Sequence, residues 1–456
     1  MEENLTYFVN NHCLICENSH LFTKLIEKFD LDIIQFQQKH SFLPKIILNE
    51  RDPVRFLAGF LAACRANCPV FLCNPDWGKQ EWQQVFDLVK PDIIWGIDKI
   101  DIPHAPCPMP YAQSPHIMIP TGGSSGNIKF AVHSWDTLTA SVRGFKEYFQ
   151  VDKINSFCVL PLYHVSGLMQ FMRCFITGGK LVILPFKKLE LGEKYNIDNL
   201  EFFISLVPTQ LERLLQKIDL TEWLGKFQTV LLGGAPAWNE LLEKARFHYI
   251  RLAPTYGMTE TASQIATMKP EDFLRGKIGC GKILPHAKVQ IIGERENLQS
   301  DRVGSINIKA QSLALGYYPL NGETLTCLQI DDLAFLDEQG YLNIIGRNSD
   351  KIITGGENVY PAEVEAAIRA TGMVADVCVI GVSDRHWGQV VTAIYVKQLN
   401  ISNQEIQNLL KEKLSNYKIP KNWIAIDSLP RNSQGKINRQ KLYDIADGYS
   451  GLLYYK

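Results

Sequence analysis

Long apolar runs and an excess of either charge are both missing from this sequence. The longest strongly apolar run, Phe56 to Cys64, stops at Arg65, well short of the roughly 20 residues that a transmembrane helix needs. Lys and Arg number 47 against 48 Asp and Glu, so no basic surface for nucleic acid or an anionic membrane is indicated. We expect a soluble globular protein without nucleic-acid or integral membrane partners. Because no basic n-region opens the sequence, we also expect a cytoplasmic location.

The context for disulfide bonds is missing as well. Eleven cysteines are an odd number, and without a secretory context they favour reduced thiols. Two pairs, Cys13 with Cys16 and Cys64 with Cys68, have spacings that a zinc site can use. Cys64 lies in an apolar helical pattern, which favours small core hydrophobes instead.

Internal repeats and low-complexity tracts are absent, and a chain of 456 residues with 46% hydrophobic content can build two or more structural units. Up to about residue 250, apolar runs alternate with amphipathic helical patterns, which is typical of a doubly wound sheet. Helices are predicted from Pro53 and around 81–88. Strands are predicted at 69–72, 159–161, 181–184, 202–206 and 229–232.

Beyond Gly279 the pattern changes to short strands separated by turn signals. It predicts a small β subdomain at about 279–347 and then a separate α+β unit over 350–456. In that unit, helices are expected after Pro361 and around 406–414, with strands at 377–382 and 390–396. The predicted fold class is therefore α/β, with a large N-terminal domain of doubly wound subdomains and a smaller C-terminal domain.

A glycine-rich stretch predicts a site for phosphate. It reads Thr121-Gly122-Gly123-Ser124-Ser125-Gly126-Asn127-Ile128-Lys129. Glycines let backbone N–H groups converge on an anion, and the hydroxyls and the ammonium add donors. The stretch is not a Walker A loop, because Gly126 is followed by Asn127 rather than Lys. By composition alone it is equally typical of a flexible surface loop.

Together with segments farther along, this stretch resembles the acyl-adenylate-forming superfamily, which includes acyl-CoA synthetases, firefly luciferase and the adenylation domains of peptide synthetases. The resemblance runs from about residue 50 to 440. It departs from the family pattern at Gly122, Ile128 and Phe130, where Ser, Pro and Gly are usual. It implies that a small-molecule carboxylic acid reacts with Mg-ATP to give an acyl-adenylate and pyrophosphate, after which coenzyme A releases AMP.

The resemblance implies nucleotide contacts in several segments. They are Thr121, Gly122, Gly123, Ser124, Ser125, Gly126 and Lys129 around the phosphates, Gly234, Ala235 and Pro236 beside the adenine, and Tyr256, Asp332 and Arg347. Tyr256 would stack on the adenine, Asp332 would accept the ribose hydroxyls, and Arg347 would contact ribose or phosphate. Without the resemblance, Asp332 would lie in an acidic hairpin edge, and 256–261 would be a strand-to-helix turn capped by Thr259.

The resemblance implies catalytic roles for Thr259, Glu260 and Lys436. The Thr259 hydroxyl would donate to the α-phosphate. Glu260 would hold Mg²⁺, and one carboxylate suffices because this cation keeps several waters. Lys436 would place positive charge between the attacking carboxylate and the α-phosphate. By itself, Lys436 would be a solvated lysine in a polar turn.

In this family the small domain is mobile and rotates between the two steps. The hinge here would be 348–349, between a domain at 1–347 and a lid domain at 350–456. Rotation would withdraw the lysine and bring Gly355 and Gly356 against the pantetheine arm of coenzyme A. Otherwise these glycines form only a tight turn.

Three stretches, 160–168, 256–264 and 355–365, are similar to the branch of the family that ligates o-succinylbenzoate to coenzyme A in menaquinone and phylloquinone biosynthesis. This aromatic dicarboxylate needs a flat apolar slot and a donor for its unreacted carboxylate. The candidate substrate contacts are His164, Ser166, Gly257, Ser263 and Gln264, with Arg173 as a further donor unless it snorkels to solvent. His164 is also a catalytic candidate as a gate of the thiol tunnel, or alternatively a core histidine.

Other functions remain open at this point. The chain could be another aryl- or fatty-acid-CoA ligase, an adenylation domain that loads a carrier protein, or a nucleotide-binding relative without activity. The joint presence of Asp332, Arg347 and Lys436 with the 259–260 pair argues against the last, because a binding protein needs no lysine specific to one step. The sequence leaves the oligomeric state undetermined, with a homodimer as one possibility.

Overall fold

The computed structural model describes residues 1–96, 116–122, 128–293, 303–320, 324–355, 357–384, 387–398, 402–411, 413–431 and 437–453. Contacts divide the chain into two compact units. The first comprises Met1–Gly234, Ala245–Val289 and Ile308–Leu328, and the second comprises Ala235–Lys244, Gln290–Asn307 and Gln329–Lys456. Within the described ranges, no helix is both long enough and apolar enough to span a bilayer.

The helices are α1 (Glu2–Asn10), α2 (Phe22–Gln37), α3 (Pro53–Arg65), α4 (Lys79–Val89), α5 (Trp135–Phe149), α6 (Val165–Thr177), α7 (Phe186–Glu190), α8 (Pro208–Leu215), α9 (Ile218–Gly225), α10 (Asn239–Phe247), α11 (Pro270–Leu274), α12 (Pro361–Arg369), α13 (Asn403–Lys411) and α14 (Arg439–Leu453). Short 3₁₀ turns occur at Ser19–Leu21, Asn199–Glu201, Thr259–Thr261 and Asn416–Lys418.

The strands are β1 (Leu14–Ile15), β2 (Ile46–Leu48), β3 (Val70–Leu72), β4 (Ile93–Trp95), β5 (Ile117–Gly122), β6 (Ile128–His133), β7 (Asn155–Cys158), β8 (Leu181–Ile183), β9 (Phe202–Leu206), β10 (Thr229–Leu232), β11 (Leu252–Met258), β12 (Ser263–Thr267), β13 (Lys282–Ile283), β14 (Ala287–Ile292), β15 (Gly304–Ala310), β16 (Gly316–Tyr317), β17 (Leu328–Leu336), β18 (Leu342–Arg347), β19 (Ile352–Thr354), β20 (Glu357–Val359), β21 (Val374–Asp384), β22 (Gly388–Lys397) and β23 (Asn422–Ala425).

The first unit contains a six-stranded sheet in the order β16-β6-β5-β3-β2-β4. Its centre is parallel, with Ile46 of β2 opposite Val70 of β3 and Ile93 of β4. Helix α3 begins at Pro53 as predicted, because the Asp52 carboxylate caps it by accepting the N–H groups of the second and third residues of the helix. The edge of the sheet formed by β5, β6 and β16 is antiparallel.

An eight-stranded sheet in the order β1-β8-β7-β9-β10-β11-β12-β13 completes the first unit. It is parallel from β1 to β11 and antiparallel beyond. Its central strands are short, buried apolar runs, as a sheet with helices on both faces requires. The predicted α/β alternation is confirmed.

One predicted strand is wrong by four residues. Residues 159–161 lie outside the sheet, and β7 is Asn155–Cys158. The polar Asn155 hid this strand from the hydrophobic pattern. Its side chain donates to the carbonyl of Glu201 at 3.1 Å and accepts from the N–H of Lys180 at 2.7 Å, so it is satisfied by neighbours that are distant in sequence.

The two cysteine pairs belong to ordinary secondary structure. Cys13 and Cys16 flank the edge strand β1, while Cys64 ends a buried stretch of α3. Every cysteine that the structure describes is a free thiol, and burial raises the pKa of Cys68 to about 12. Among the described residues, no group of three or more His, Cys, Asp or Glu side chains could hold a metal ion.

The second unit contains the C-terminal sheet in the order β20-β19-β22-β21, with β23 parallel to β22. Helix α12 begins at Pro361 as predicted and buries Val364 and Ile368. Strands β21 and β22 contain both predicted strands, whereas α13 ends at Lys411, before the predicted 414. A further sheet has the order β14-β15-β17-β18. The predicted boundary at 348–349 stays a prediction.

Candidate active site

The predicted phosphate stretch connects two paired strands of the first unit. Thr121 of β5 lies directly opposite Lys129 of β6, and Gly122 lies opposite Ile128. Directly opposed residues of an antiparallel pair share one face of the sheet, so the Thr121 hydroxyl and the Lys129 ammonium belong to the same face. Gly123, Ser124, Ser125 and Gly126 lie outside the described residues.

Glu260 joins this pair of strands to the turn after β11. Glu260 is only 9% exposed, and its Oε1 accepts hydrogen bonds from the hydroxyls of Thr121 at 3.1 Å and Tyr317 at 2.9 Å. Among the described residues, none donates a hydrogen bond to the other oxygen, Oε2. A carboxylate that is fixed through one oxygen fits Mg²⁺, which binds oxygen ligands and keeps several waters.

Tyr317 was missed by the sequence reasoning. It lies in the two-residue strand β16, opposite Ala131 of β6, and its ring centroid is 5.9 Å from the Lys129 ammonium. Burial, together with the negative charge of Glu260, raises the pKa of the Tyr317 phenol well above its usual range. The phenol therefore stays protonated and acts as a donor. Its only sequence signal is an aromatic residue after Gly316, because the pairing with β6 is not local.

The turn that carries Thr259 and Glu260 is held through its backbone. Five consecutive carbonyl groups, from residue 259 to residue 263, accept hydrogen bonds. The donors are His133 Nε2 to Thr259 (2.8 Å), Ala314 N to Glu260 (2.8 Å), Ser312 Oγ to Thr261 (2.8 Å), Ser141 Oγ to Ala262 (2.7 Å) and Thr261 Oγ1 to Ser263 (2.6 Å). All donors except Thr261 come from distant parts of the first unit, and the three donating side chains outside the turn are buried. This arrangement fixes the orientation of the turn through its backbone, without using the side chains of Thr259 and Glu260.

The backbone around this turn is strained. Ala262 and Ser263 have φ of 50° and 88°, in the left-handed region that residues with a Cβ rarely occupy. A Cβ on Gly257 would lie 2.1 Å from the carbonyl oxygen of Ser263, so only glycine fits there. The alternative prediction of a helix capped by Thr259 is wrong, because a 3₁₀ turn connects β11 to the antiparallel strand β12.

His133 is the buried donor to Thr259. Its other nitrogen, Nδ1, lies 3.0 Å from the Thr137 hydroxyl. Burial lowers its pKa to about 4, although the Thr259 carbonyl opposes this shift. The ring is therefore neutral at pH 7, and its proton is on Nε2 because a carbonyl can only accept. No motif pointed to His133, since its role depends on a partner 126 residues away.

Helix α6 presents two of the predicted acid-binding residues, Ser166 and Arg173. They are two helical turns apart, so they share one face of the helix. A Cβ on Gly167 would meet the carbonyl oxygen of Pro161 at 2.1 Å, which accounts for glycine in the first turn. His164 precedes the helix, half-buried, with its ring centroid 4.5 Å from that of Tyr163.

Arg173 reaches from α6 to strand β12. Its Nη2 donates to Gln264 Oε1 at 2.8 Å and to Ser263 Oγ at 3.2 Å. The residue is 2% exposed, so the alternative that it snorkels to solvent is wrong. The structure thus brings together Arg173, Ser263 and Gln264.

The predicted adenine strip follows the carboxyl end of β10. Gly234 has φ of 81°, and Gly234, Ala235 and Pro236 are exposed. A Cβ on the preceding glycine, Gly233, would lie 2.4 Å from the Thr255 hydroxyl. The start of the strip therefore lies against β11, one residue before the half-buried Tyr256.

In the second unit, Asp332 and Arg347 face each other across β17 and β18. Arg347 Nε lies 3.4 Å from Asp332 Oδ1, with side chains that are 58% and 19% exposed. The predicted hinge residues bond to the preceding aspartate, Asp331. Its carbonyl accepts the N–H of Asn348 and its carboxylate accepts the N–H of Ser349, both at 2.8 Å.

Gly355 lies against Trp387 in the second unit. Its φ is 58°, its N–H donates to the Trp387 carbonyl at 2.9 Å, and a Cβ would meet the indole ring at 2.9 Å. Gly356 and Lys436 lie outside the described residues. Beside Lys436, Ile437 forms a β-bridge with Arg431.

Comparison with known proteins agrees with this geometry. The AMP-binding enzyme family model matches residues 95–318, and the model of the AMP-binding enzyme C-terminal domain matches 363–436. A 2-succinylbenzoate–CoA ligase from Bacillus anthracis is 33% identical over 337 residues, which are 72% of this chain and 70% of that protein.

Two solved structures share the fold. One is the o-succinylbenzoate CoA synthetase from Bacillus subtilis with its acyl-adenylate intermediate, at a TM-score of 0.82 and 23% identity over 96% of this chain and 97% of that one. The other is the same synthetase with ATP and magnesium ion, at a TM-score of 0.81 and 24% identity over 96% and 98%. These matches confirm the predicted α/β fold with its large N-terminal and smaller C-terminal domains.

Proposed function

Because this chain belongs to the family of AMP-binding enzymes, we propose that it is an AMP-forming acid–thiol ligase that activates 2-succinylbenzoate and transfers the acyl group to coenzyme A. The acid first attacks the α-phosphate of ATP, giving the acyl-adenylate and pyrophosphate. The thiol of coenzyme A then attacks the acyl carbon and releases AMP. The observation that carries the proposal is the convergence of Thr121, Glu260 and Tyr317 at the ends of the strands that flank the phosphate stretch.

In the adenylation step, Thr121 and Tyr317 orient the Glu260 carboxylate. Glu260 would hold Mg²⁺, which would neutralise phosphate charge when bound. Thr259 donates its hydroxyl to the α-phosphate, and Lys436 stabilises the charge that develops during displacement. Donors around the phosphates are Gly122, Gly123, Ser124, Ser125, Gly126 and Lys129.

The remaining nucleotide contacts follow the chemistry of each residue. Tyr256 stacks on the adenine beside the backbone of Gly234, Ala235 and Pro236. Asp332 accepts the ribose hydroxyls, since its two oxygens match a vicinal diol. Arg347 contacts ribose or phosphate. Its ion pair with Asp332 is long at 3.4 Å and exposed on the Arg347 side, hence weak, so it can be exchanged for a nucleotide contact.

For the thioester step, we propose that the domain at 350–456 rotates about 348–349 relative to the domain at 1–347. The two hydrogen bonds from the hinge to Asp331 would be exchanged in that rotation. Gly355 and Gly356 would then line the path of the pantetheine arm, where the absence of a Cβ permits close approach.

The proposed acid pocket takes its polar groups from α6 and β12. Ser166, Ser263 and Gln264 offer donors, Gly257 permits close approach, and His164 contacts the acid or gates the thiol path. The enzyme would supply menaquinone or phylloquinone biosynthesis. We place it in the cytoplasm, where ATP and coenzyme A are available, and expect no nucleic-acid partner because its charges balance.

The test is an incubation of the purified protein with ATP, Mg²⁺, coenzyme A and a panel of 2-succinylbenzoate, benzoates and fatty acids. We expect AMP release and a thioester mass with 2-succinylbenzoate. Turnover of another acid alone would retain the ligase and reject this substrate. Absence of AMP with every acid would reject the proposed function.

A further inference from the structure

The segment 432–436, which includes the lysine proposed for adenylation, has its two ends joined by backbone pairing. Arg431 forms an antiparallel bridge with Ile437. Next to this bridge, the N–H of Asn438 donates to the carbonyl of Pro430 at 2.8 Å. The two ends of the segment are therefore held beside each other, and the direction in which they point is set by whatever anchors this pair of strands.

Each end is also tied by an arginine to an aspartate of the second unit. On the amino-terminal side, Arg431 Nη2 donates to Asp376 Oδ2 at 2.6 Å. On the carboxyl-terminal side, Arg439 Nη2 lies 3.3 Å from Asp350 Oδ2, and its Nη1 donates to the carbonyl of Val379 at 3.4 Å. The two arginines thus connect the segment to strand β21 and to the first residue of the predicted lid domain.

Helix α12 supports the aspartate that receives Arg431. From this helix, Arg369 Nη2 lies 3.7 Å from Asp376 Oδ1, and Arg369 Nη1 lies 3.9 Å from Glu365 Oε2. The other oxygen of Glu365 accepts from the N–H of Val379 at 2.8 Å. Asp376 therefore lies between two guanidinium groups, and the second of them is itself held against the sheet. A support of this kind fixes the orientation of the carboxylate that anchors Arg431.

Partial exposure limits what these two ion pairs add to stability. The side chains of Arg431 and Asp376 are 34% and 27% exposed, and those of Arg439 and Asp350 are 33% and 27% exposed. Ion pairs with this much access to water contribute little to the free energy of unfolding. Helix α14 has its own apolar support, because Leu442 is fully buried. The arginines therefore matter less for folding than for the orientation of the segment between them.

We propose that Arg431 and Arg439 are positioning residues for Lys436. Each anchors one end of the segment that carries the lysine, the first through Asp376 and the second through Asp350. Both act through the lysine and need no contact with the substrate. A misplacement of about 1 Å can slow a reaction by about 100-fold, so a small change in this segment reaches the rate before it reaches stability. The inference rests on the proposed function, in which Lys436 serves adenylation alone.

The experiment measures the two half-reactions separately, as pyrophosphate release from ATP and 2-succinylbenzoate and as AMP release from supplied acyl-adenylate and coenzyme A. For Arg439→Met and Arg431→Met we expect kcat of adenylation to fall about ten- to a hundredfold. KM for ATP and for the acid, and the second half-reaction, should be unchanged. Arg439→Lys and Arg431→Lys keep the charge and should recover part of the rate. In a Lys436→Ala background, neither methionine substitution should lower the residual rate further.

Glu363→Gln is the matched control. It removes an ion pair of the same unit, in which Lys418 Nζ lies 2.6 Å from Glu363 Oε1 and the side chains are 21% and 44% exposed. Adenylation should be unchanged in this variant. An unchanged rate of adenylation in both methionine variants would overturn the inference, and so would equal losses in the two half-reactions, which a purely structural role predicts. If Arg439→Met does not fold, Arg431→Met and Arg439→Lys decide by the same criteria.

Failure of the proposed function gives a different result, because the wild type would then release no AMP with any acid. Amide hydrogen exchange at Asn438, whose N–H is bonded to Pro430, then decides whether the arginines hold the segment. Exchange should be up to about fivefold faster in both methionine variants, the equivalent of losing one exposed ion pair, and unchanged in Glu363→Gln. Equal exchange in the wild type and both methionine variants would overturn the inference.

Discussion

The turn at Thr259–Thr261 in the first unit and the segment at 347–349 in the second are both held by hydrogen bonds, but in opposite environments. The turn is bound at five consecutive carbonyl groups, and the side chains that donate to it are buried. The 347–349 segment is exposed, and it depends on Asp331, which is exposed too. Breaking a buried hydrogen bond leaves an unsatisfied group, whereas water replaces an exposed one at little cost.

This difference agrees with the proposed roles. Residues that orient a carboxylate toward a cation must hold one geometry, and many buried bonds enforce it. A hinge must exchange partners, and weak exposed bonds permit the exchange. The comparison predicts that substitutions in the turn slow the chemical step and lower the free energy of unfolding. Substitutions at the hinge should change both quantities only slightly.

The largest effect is expected from replacing Glu260, and it falls on the rate of adenylation. Glu260→Gln keeps the shape and an acceptor for Thr121 and Tyr317, but it removes the charge that binds the cation. We expect adenylation to slow by about 100- to 1000-fold, measured as pyrophosphate release. The control is Glu271→Gln, which alters an exposed carboxylate paired with Arg251. A loss below tenfold would contradict the assignment of Glu260 to the metal.

The next effect concerns pH and His133. Its pKa falls from the ordinary 6.5 to about 4 on folding, so the unfolded chain binds more protons between these values. Its contribution, about 3 kcal/mol, is complete above pH 6.5 and is lost as the pH falls toward 4. The pKa of His286 is also lowered to about 4, so its contribution to stability is lost over the same pH range. The free energy of unfolding, measured in urea, should fall steeply from pH 7 to pH 4.5, and His133→Gln should reduce that fall by about half. An equal dependence on pH in both proteins would refute the prediction.

A third prediction separates the two half-reactions. Gly355→Ala places a Cβ 2.9 Å from the Trp387 ring, and we expect about tenfold slower thioester formation with adenylation unchanged. Gly372→Ala is the control, because Gly372 also has positive φ but meets nothing within 4 Å. Lys436→Ala should do the reverse, blocking adenylation while still converting supplied acyl-adenylate. Equal loss of both steps in both variants would reject the rotation.

The smallest effects are changes in stability, which allow the buried turn and the exposed hinge to be compared directly. Ser141→Ala removes a buried donor to the Ala262 carbonyl, and we expect a loss of about 1 to 3 kcal/mol in the free energy of unfolding. Asp331→Asn weakens the exposed bond to Ser349, and we expect less than about 1 kcal/mol. Chemical denaturation of both variants measures the difference. Equal losses would remove the distinction between the turn and the hinge.

Much of the fold was predictable because its signals are local. The helix from Pro53 is marked by an aspartate cap and a proline, and strands β8, β9 and β10 are mainly apolar runs. Strand β7 was misplaced because the polar Asn155 begins it. The candidate site could be outlined only through family resemblance, since single residues such as Glu260 carry no local signal of their function.

The amino-acid sequence by itself determined the order of helices and strands, the glycines that allow close approach, and the family to which the chain belongs, because these depend on neighbouring residues and short motifs. Only the tertiary structure decided that Tyr317 and Thr121 bind Glu260, that His133 holds Thr259, and that Arg173 is buried against Ser263. Those contacts join residues 57 to 139 positions apart. Sheet pairing creates such proximity, and no local pattern encodes it.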